Sequence, residues 1–193
     1  MHGLINRSIE RFLTETYGGA VWRRISDRLG TPGFEAMLSY DDAVTEALLT
    51  ATAEALGKPV PVVLDDLGGF LAQVEPLRRL LRFGGTDFPD FLFSLAELQG
   101  RARMAVPDIG LPAITVEEHE PGAFRLAVMA DRAGWAHVLA GLMRTMADDY
   151  GALVVVGDVQ AGESGGPDRV DVLMLDGSYA TGRTFDLAAR EAG

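Results

Sequence analysis

Ala113-Ile-Thr-Val-Glu-Glu-His-Glu-Pro-Gly-Ala-Phe-Arg-Leu-Ala-Val-Met129 decides the fold. Two β-prone runs, Ala113–Val116 and Ala123–Met129, flank Glu120-Pro-Gly122, and proline followed by glycine suits a tight turn. The stretch therefore reads as an antiparallel hairpin. What precedes it has helical spacing. Leu4, Ile5, Ile9, Phe12 and Leu13 recur three and four residues apart, with Asn6, Arg7, Glu10 and Arg11 between them, as on an amphipathic helix closed by Tyr17-Gly18-Gly19. Val21, Trp22, Ile25 and Leu29 give a second helix, stopped at Gly30-Thr-Pro-Gly33. Asp41-Asp42 can cap a third, running through Val44, Leu48, Leu49 and Leu56 to Gly57. Beyond Pro59 and Pro61, Val62, Val63, Leu67, Phe70 and Leu71 predict further helix, and Leu77–Leu81 a short one. Phe83-Gly-Gly-Thr-Asp87 is a turn. Asp87 or its neighbour caps one long helix from Phe88 to Met104, whose apolar positions, Phe91, Phe93, Leu95 and Leu98, are dense enough for burial on more than one side.

Downstream of the hairpin, a helix is expected over Ala133–Asp149. Leu153–Val156 then pairs with Arg169–Leu175 around the loop Ala161–Pro167. The class is α+β: a helical part over residues 1–105, then a small antiparallel sheet with a packed helix over 106–177, forming one domain. Residues 178–193 read as a frayed tail.

The chain of 193 residues is 48% hydrophobic and 23% charged, which is globular composition. Its net charge of −11, from 28 acidic and 17 basic side chains, argues against non-specific binding to nucleic acid or an anionic membrane. There is no cysteine, so disulfides, thiolate-ligated zinc, iron–sulfur clusters and thiol catalysis are excluded. Apolar runs such as Ala152–Val156 fall well short of the roughly 20 residues that a membrane span needs. No basic stretch followed by an apolar segment opens the chain, and the expectation is a soluble cytoplasmic protein.

No phosphate-binding glycine loop and no nucleophile elbow is present. The three histidines, His2, His119 and His137, are too far apart in sequence to form a histidine metal motif. Gly162-Glu-Ser-Gly-Gly166 reads as a hairpin loop, since no helix start follows it to receive an anion. Asp65-Asp66 and Asp148-Asp149 are neighbours that point about 100° apart on a helix and so form no acid/base dyad. His2 reads as packing, His119 as solvated in a polar turn, and Trp22, Trp135 and the phenylalanines at 83, 88, 91 and 93 as core. No catalytic set emerges, and the chain is expected not to be an enzyme.

Met1-His-Gly-Leu-Ile5, Tyr17-Gly18, Trp22, Leu80-Leu-Arg-Phe-Gly-Gly85, Phe88-x-x-Phe-Leu92, Ser94-Leu-x-x-Leu98, Pro107, Pro112 and Gly141-Leu142 occur in an order that resembles the heme–nitric oxide/oxygen binding (H-NOX) family. The resemblance covers Met1 to about Leu175. It implies a b-type heme between helices and sheet, ligated by a histidine in a pattern like Leu-x-x-Leu-His, with propionates held by Tyr-x-Ser-x-Arg. Here Leu95-Ala-Glu-Leu98 is followed by Gln99, and the second motif falls on Val128-Met-Ala-Asp-Arg132, so that Val128 and Ala130 replace the two hydroxyl residues and Arg132 remains. A glutamine amide is a poor donor to heme iron. The two lost hydroxyls remove bonds worth roughly 1.5–3 kcal/mol each. Gln99 then reads as a filler whose amide bonds within the pocket. Arg132, read as lying in the sheet, either binds an anionic group or stands exposed.

By the same resemblance Ile5, Ile9, Pro112, His137 and Gly141 belong to the pocket, and His137 falls where oxygen-binding members place a distal tyrosine. His137 shares a helix face with Ala140, Gly141 and Arg144, and Gly141 is small enough to leave space beside it. The leading expectation is a stand-alone signalling protein with a degenerate heme site, no cofactor and no metal, which binds another ligand or a partner. The resemblance implies a cyclase, diguanylate enzyme or histidine kinase acting in trans. The alternative is a gas sensor that keeps heme b with altered ligation, through His137 or another group. A third reading is an enzyme acting on a small hydrophobic molecule, for which no catalytic residue can be named.

Overall fold

The computed structural model describes residues 1–176; the tail expected over 178–193 lies outside the described residues. Eight α-helices and four strands follow in the order α1 (Gly3–Tyr17), α2 (Gly19–Leu29), α3 (Asp42–Leu56), α4 (Val60–Gln73), α5 (Glu75–Arg82), α6 (Phe88–Ser94), α7 (Leu98–Ala105), β1 (Ala113–Glu120), β2 (Ala123–Met129), α8 (Trp135–Tyr150), β3 (Leu153–Val156) and β4 (Asp168–Asp176). Side chains cap the starts as their chemistry requires. His2 Nδ1 accepts the Leu4 amide, Asp41 that of Ala43 and Asp87 that of Asp90. His2, expected to be packing, is thus a helix cap. Gly57 and Gly151 close α3 and α8 in the left-handed region, where a Cβ would be strained.

The expected long helix over Phe88–Met104 is not continuous. Between α6 and α7 the chain tightens into a 3₁₀ turn, Leu95–Glu97, where the Leu98 amide bonds to Leu95 and not to Ser94. The Ser94 carbonyl is taken instead by Arg101 Nη2 at 2.8 Å, so a side chain replaces the helical bond that would have carried the helix through.

All four strands pair antiparallel in the order β1-β2-β4-β3. Ile114, Phe124, Leu126, Val128, Val170 and Val172 point from the inner sheet face into a core shared with Phe88, Phe91, Leu92 and Leu95, and with Leu139, Ala140, Met143 and Met146 of α8. A second core lies among the helices, around Ile9, Phe12, Leu13, Trp22, Ile25, Phe34, Leu48, Val63 and Leu67. Val138 of α8 belongs to this second core and Trp135 packs against both, so α8 is the element the two halves share. Two expected core aromatics lie outside: Phe83 is 75% exposed at the end of α5 and Phe93 is 44% exposed. Phe83 falls on the turn between helices, and Phe93 meets Phe124 in a T-shaped contact with ring centroids 5.9 Å apart.

Candidate functional site

The helix break aims Gln99. It sits in the first turn of α7, a helix with no buried residue, and its Nε2 donates to the Leu111 carbonyl at 2.7 Å. That bond ties α7 to the loop in front of β1, where Pro112 is buried. The amide acts as a filler, but what it ties is a connecting loop.

Val128 lies on the inner face of β2, between Ile114 of β1 and Asp168 of β4, and is buried in the sheet core. Ala130 is half-buried in the turn that follows. Arg132 is not in the sheet, because β2 ends at Met129 and the turn begins before it. Its guanidinium reaches the helical half, where Nη2 lies 2.6 Å from Asp42 Oδ1. The same oxygen receives the N-terminal ammonium at 2.7 Å, and that ammonium also donates to the Tyr40 carbonyl. The ammonium first, and Arg132 second, hold the Asp42 carboxyl below the ordinary 3.8. The arginine that the family pattern leaves in place is thus paired through Nη2 within the chain, while its buried Nε has no hydrogen-bond partner among the described residues.

The space expected beside Gly141 is filled. A Cβ there would collide with the Asp65 carbonyl of α4, and one on Gly68 would collide with the Val138 carbonyl of α8. The two helices cross backbone against backbone through these glycines. Arg144 pairs with Asp65 at the edge of the crossing. The face expected to be shared by His137, Ala140, Gly141 and Arg144 is divided, since Ala140 packs into the sheet core while Gly141 and Arg144 meet α4. His137 is half-buried, and its imidazole makes no hydrogen bond among the described residues. Ile9 is buried in the helical core and Ile5 half-buried one turn before it. His119 is exposed at the end of β1. The candidate residues are thus distributed over two cores, one turn and one helix crossing.

A cleft lies elsewhere. About 390 Å³ in volume, it opens between the end of α1, α4 and α8, and Gly141 is the only candidate that borders it. At its rim Lys58 Nζ donates to Asp66 at 2.5 Å and to the Tyr17 hydroxyl at 3.2 Å, which pushes the lysine pKa up. Asp65 and Asp66 therefore serve different cations, as adjacent helical carboxylates must. Among the described residues no group of three or more His, Cys, Asp or Glu is placed to hold a metal ion.

A family model described as haem-NO-binding matches residues 2–157. The chain belongs to the haem-NO-binding family. Soluble guanylate cyclase gcy-35 of Caenorhabditis elegans is 28% identical over 156 residues, 76% of this H-NOX chain and 22% of that protein. Soluble guanylate cyclase gcy-31 of the same organism is 25% identical over 155 residues, 77% and 22% respectively. The chain therefore spans less than a quarter of the length of these curated relatives. Among solved structures, an H-NOX protein from S. oneidensis in the Fe(II)NO ligation state matches with a TM-score of 0.78 at 16% identity, over 91% of this chain and all of that one. The α+β fold is the H-NOX fold.

Two residues of this H-NOX chain were missed as partners by the sequence reading. Asp42 reads as a helix cap, and its pairing with Arg132 spans 90 positions with no sequence signal. Gly68 did carry one, because a glycine inside a helical pattern costs stability unless something packs against it.

Proposed function

We propose that this H-NOX chain is a non-enzymatic signalling module that works without heme and acts through a partner protein or a ligand other than porphyrin. The observation that carries the reading is the Gln99 amide, which stands at the family's iron-ligand position and is spent on the Leu111 carbonyl at 2.7 Å. The other positions support it. Val128 and Ala130 offer no hydroxyl to a propionate, and Arg132 already holds a carboxylate. These residues do not fit a heme held in the family's manner. Because the curated relatives are soluble guanylate cyclases of which this part is a minor share, a signalling enzyme acting in trans is the proposed partner.

The test is a hemin titration of the purified protein followed by visible spectroscopy. The expected result is the spectrum of free hemin, with no sharp Soret band near stoichiometric loading. A full-occupancy band in the unaltered protein would overturn the reading. One observation favours a second reading, iron ligation through His137: its half-buried ring has no hydrogen-bond partner among the described residues. That reading requires a Soret band that His137→Ala abolishes.

A further inference from the structure

The cleft between α1, α4 and α8 has an aromatic floor and a polar rim. Phe12, which is buried, and Phe70 tilt against each other with ring centroids 5.5 Å apart, and Tyr17 meets Phe12 edge-on at 5.6 Å. Gly69 adds no side chain to the wall, and a Cβ there would stand 3.2 Å from Thr145 Oγ1. The charged groups at the rim are matched among themselves: Asp65 pairs with Arg144, and Asp66 with Lys58. The neutral groups are not. Thr16 of α1, Gln73 of α4 and Thr145 of α8 line the cleft, and their side chains make no hydrogen bond among the described residues. Each of the three helices thus offers one uncommitted hydroxyl or amide.

These features select a ligand by its lack of charge. An anion drawn to Arg144 or Lys58 meets the carboxylate beside each, and a cation drawn to Asp65 or Asp66 meets the group already paired there. Either ion must displace a partner to gain one. A flat ring suits the floor of Phe12 and Phe70, and a neutral donor and acceptor on that ring find the free hydroxyls and amide. The cleft volume, about 390 Å³, lies at the small end of the roughly 300–1,000 Å³ that ligand sites occupy. We propose that this cleft binds a small uncharged aromatic molecule bearing an amide or hydroxyl group, seated over Phe12 and Phe70 and hydrogen-bonded to Gln73 and Thr145. Such a molecule rests on the proposed function in being its ligand other than porphyrin. Hemin plays no part in its test, so a Soret band would overturn that function and leave this site standing.

Benzamide, benzoate and benzamidine share one shape and differ in charge, which makes them the probes. Each is titrated into the isotope-labelled full chain at low ionic strength, where any preference for an ion is strongest. The expected result is saturable, roughly millimolar binding of benzamide that shifts the amide signals of Gly69, Gly141 and Thr145. Benzamide should bind at least about five-fold more tightly than either ion, the worth of about one hydrogen bond. Thr145→Val with Gln73→Leu should weaken benzamide at least about five-fold, with the fold checked by its urea midpoint. Thr145→Ser keeps the hydroxyl and should bind as the unaltered chain does. The proposal is overturned by benzoate or benzamidine binding as well as benzamide, or by the absence of saturable shifts at these residues. It is overturned equally by undiminished affinity in the double variant, or by a loss in Thr145→Ser as large as in that variant.

Discussion

Gly141 and Gly68 each face a carbonyl of the opposite helix, and a single methyl group at either place has nowhere to go. Gly141→Ala is therefore expected to lower stability by about 1–3 kcal/mol, as overpacking does, read as a lower urea midpoint at unchanged slope. Asp42 carries a different prediction. Its carboxyl is held below 3.8 by the N-terminal ammonium and Arg132, so the stability it contributes is full above that value and fades as pH falls through its folded pKa. Asp42→Asn should thus be less stable than the unaltered protein at neutral pH, and the gap should close below pH 3.8 in acid-unfolding curves. Gln99 was expected to spend its amide within a pocket, and the amide instead bonds to the Leu111 carbonyl of the loop before β1. The environment of Arg132 was not legible, because its partner comes from a distant helix and only the folded chain brings them together.

Among the elements, the α6–α7 break departs furthest from the expected pattern. Hydrophobic spacing marks where a helix buries side chains, but not which backbone carbonyl an arginine will capture. Arg101→Leu removes the group bonded to the Ser94 carbonyl. The expected outcome is a return of the Leu98 amide to that carbonyl, read as slower hydrogen exchange at Leu98. Gln99→Leu should cost about 1 kcal/mol, the usual net value of one such bond, and speed exchange in the loop before β1. Helices α1 to α5, both hairpins and α8 were all read near their observed positions, because glycine and aspartate mark their ends and apolar spacing fills their middles.

Across the whole molecule, α8 belongs to both cores and leaves neither half a boundary of its own. Unfolding is expected to be one transition: tryptophan fluorescence, from Trp22 in the helical core and Trp135 between the cores, should coincide with far-UV circular dichroism. Separate midpoints would mean that the halves fold independently. Phe12→Ala in one core and Met143→Ala in the other should each cost about 2–5 kcal/mol and shift both signals together. The α+β class was legible from one hairpin following a helical run. The depth at which α4 and α8 interlock was not, since two separated glycines say little until their helices are seen to cross.

That crossing has a mechanical side. Where two rods meet with no pliable matter between them, a thrust on one is handed to the other without slack. A body pressing on the outward side of α4 therefore moves α8, and the strands seated beneath α8 travel with it, much as a gear turns its neighbour when the teeth are cut without backlash.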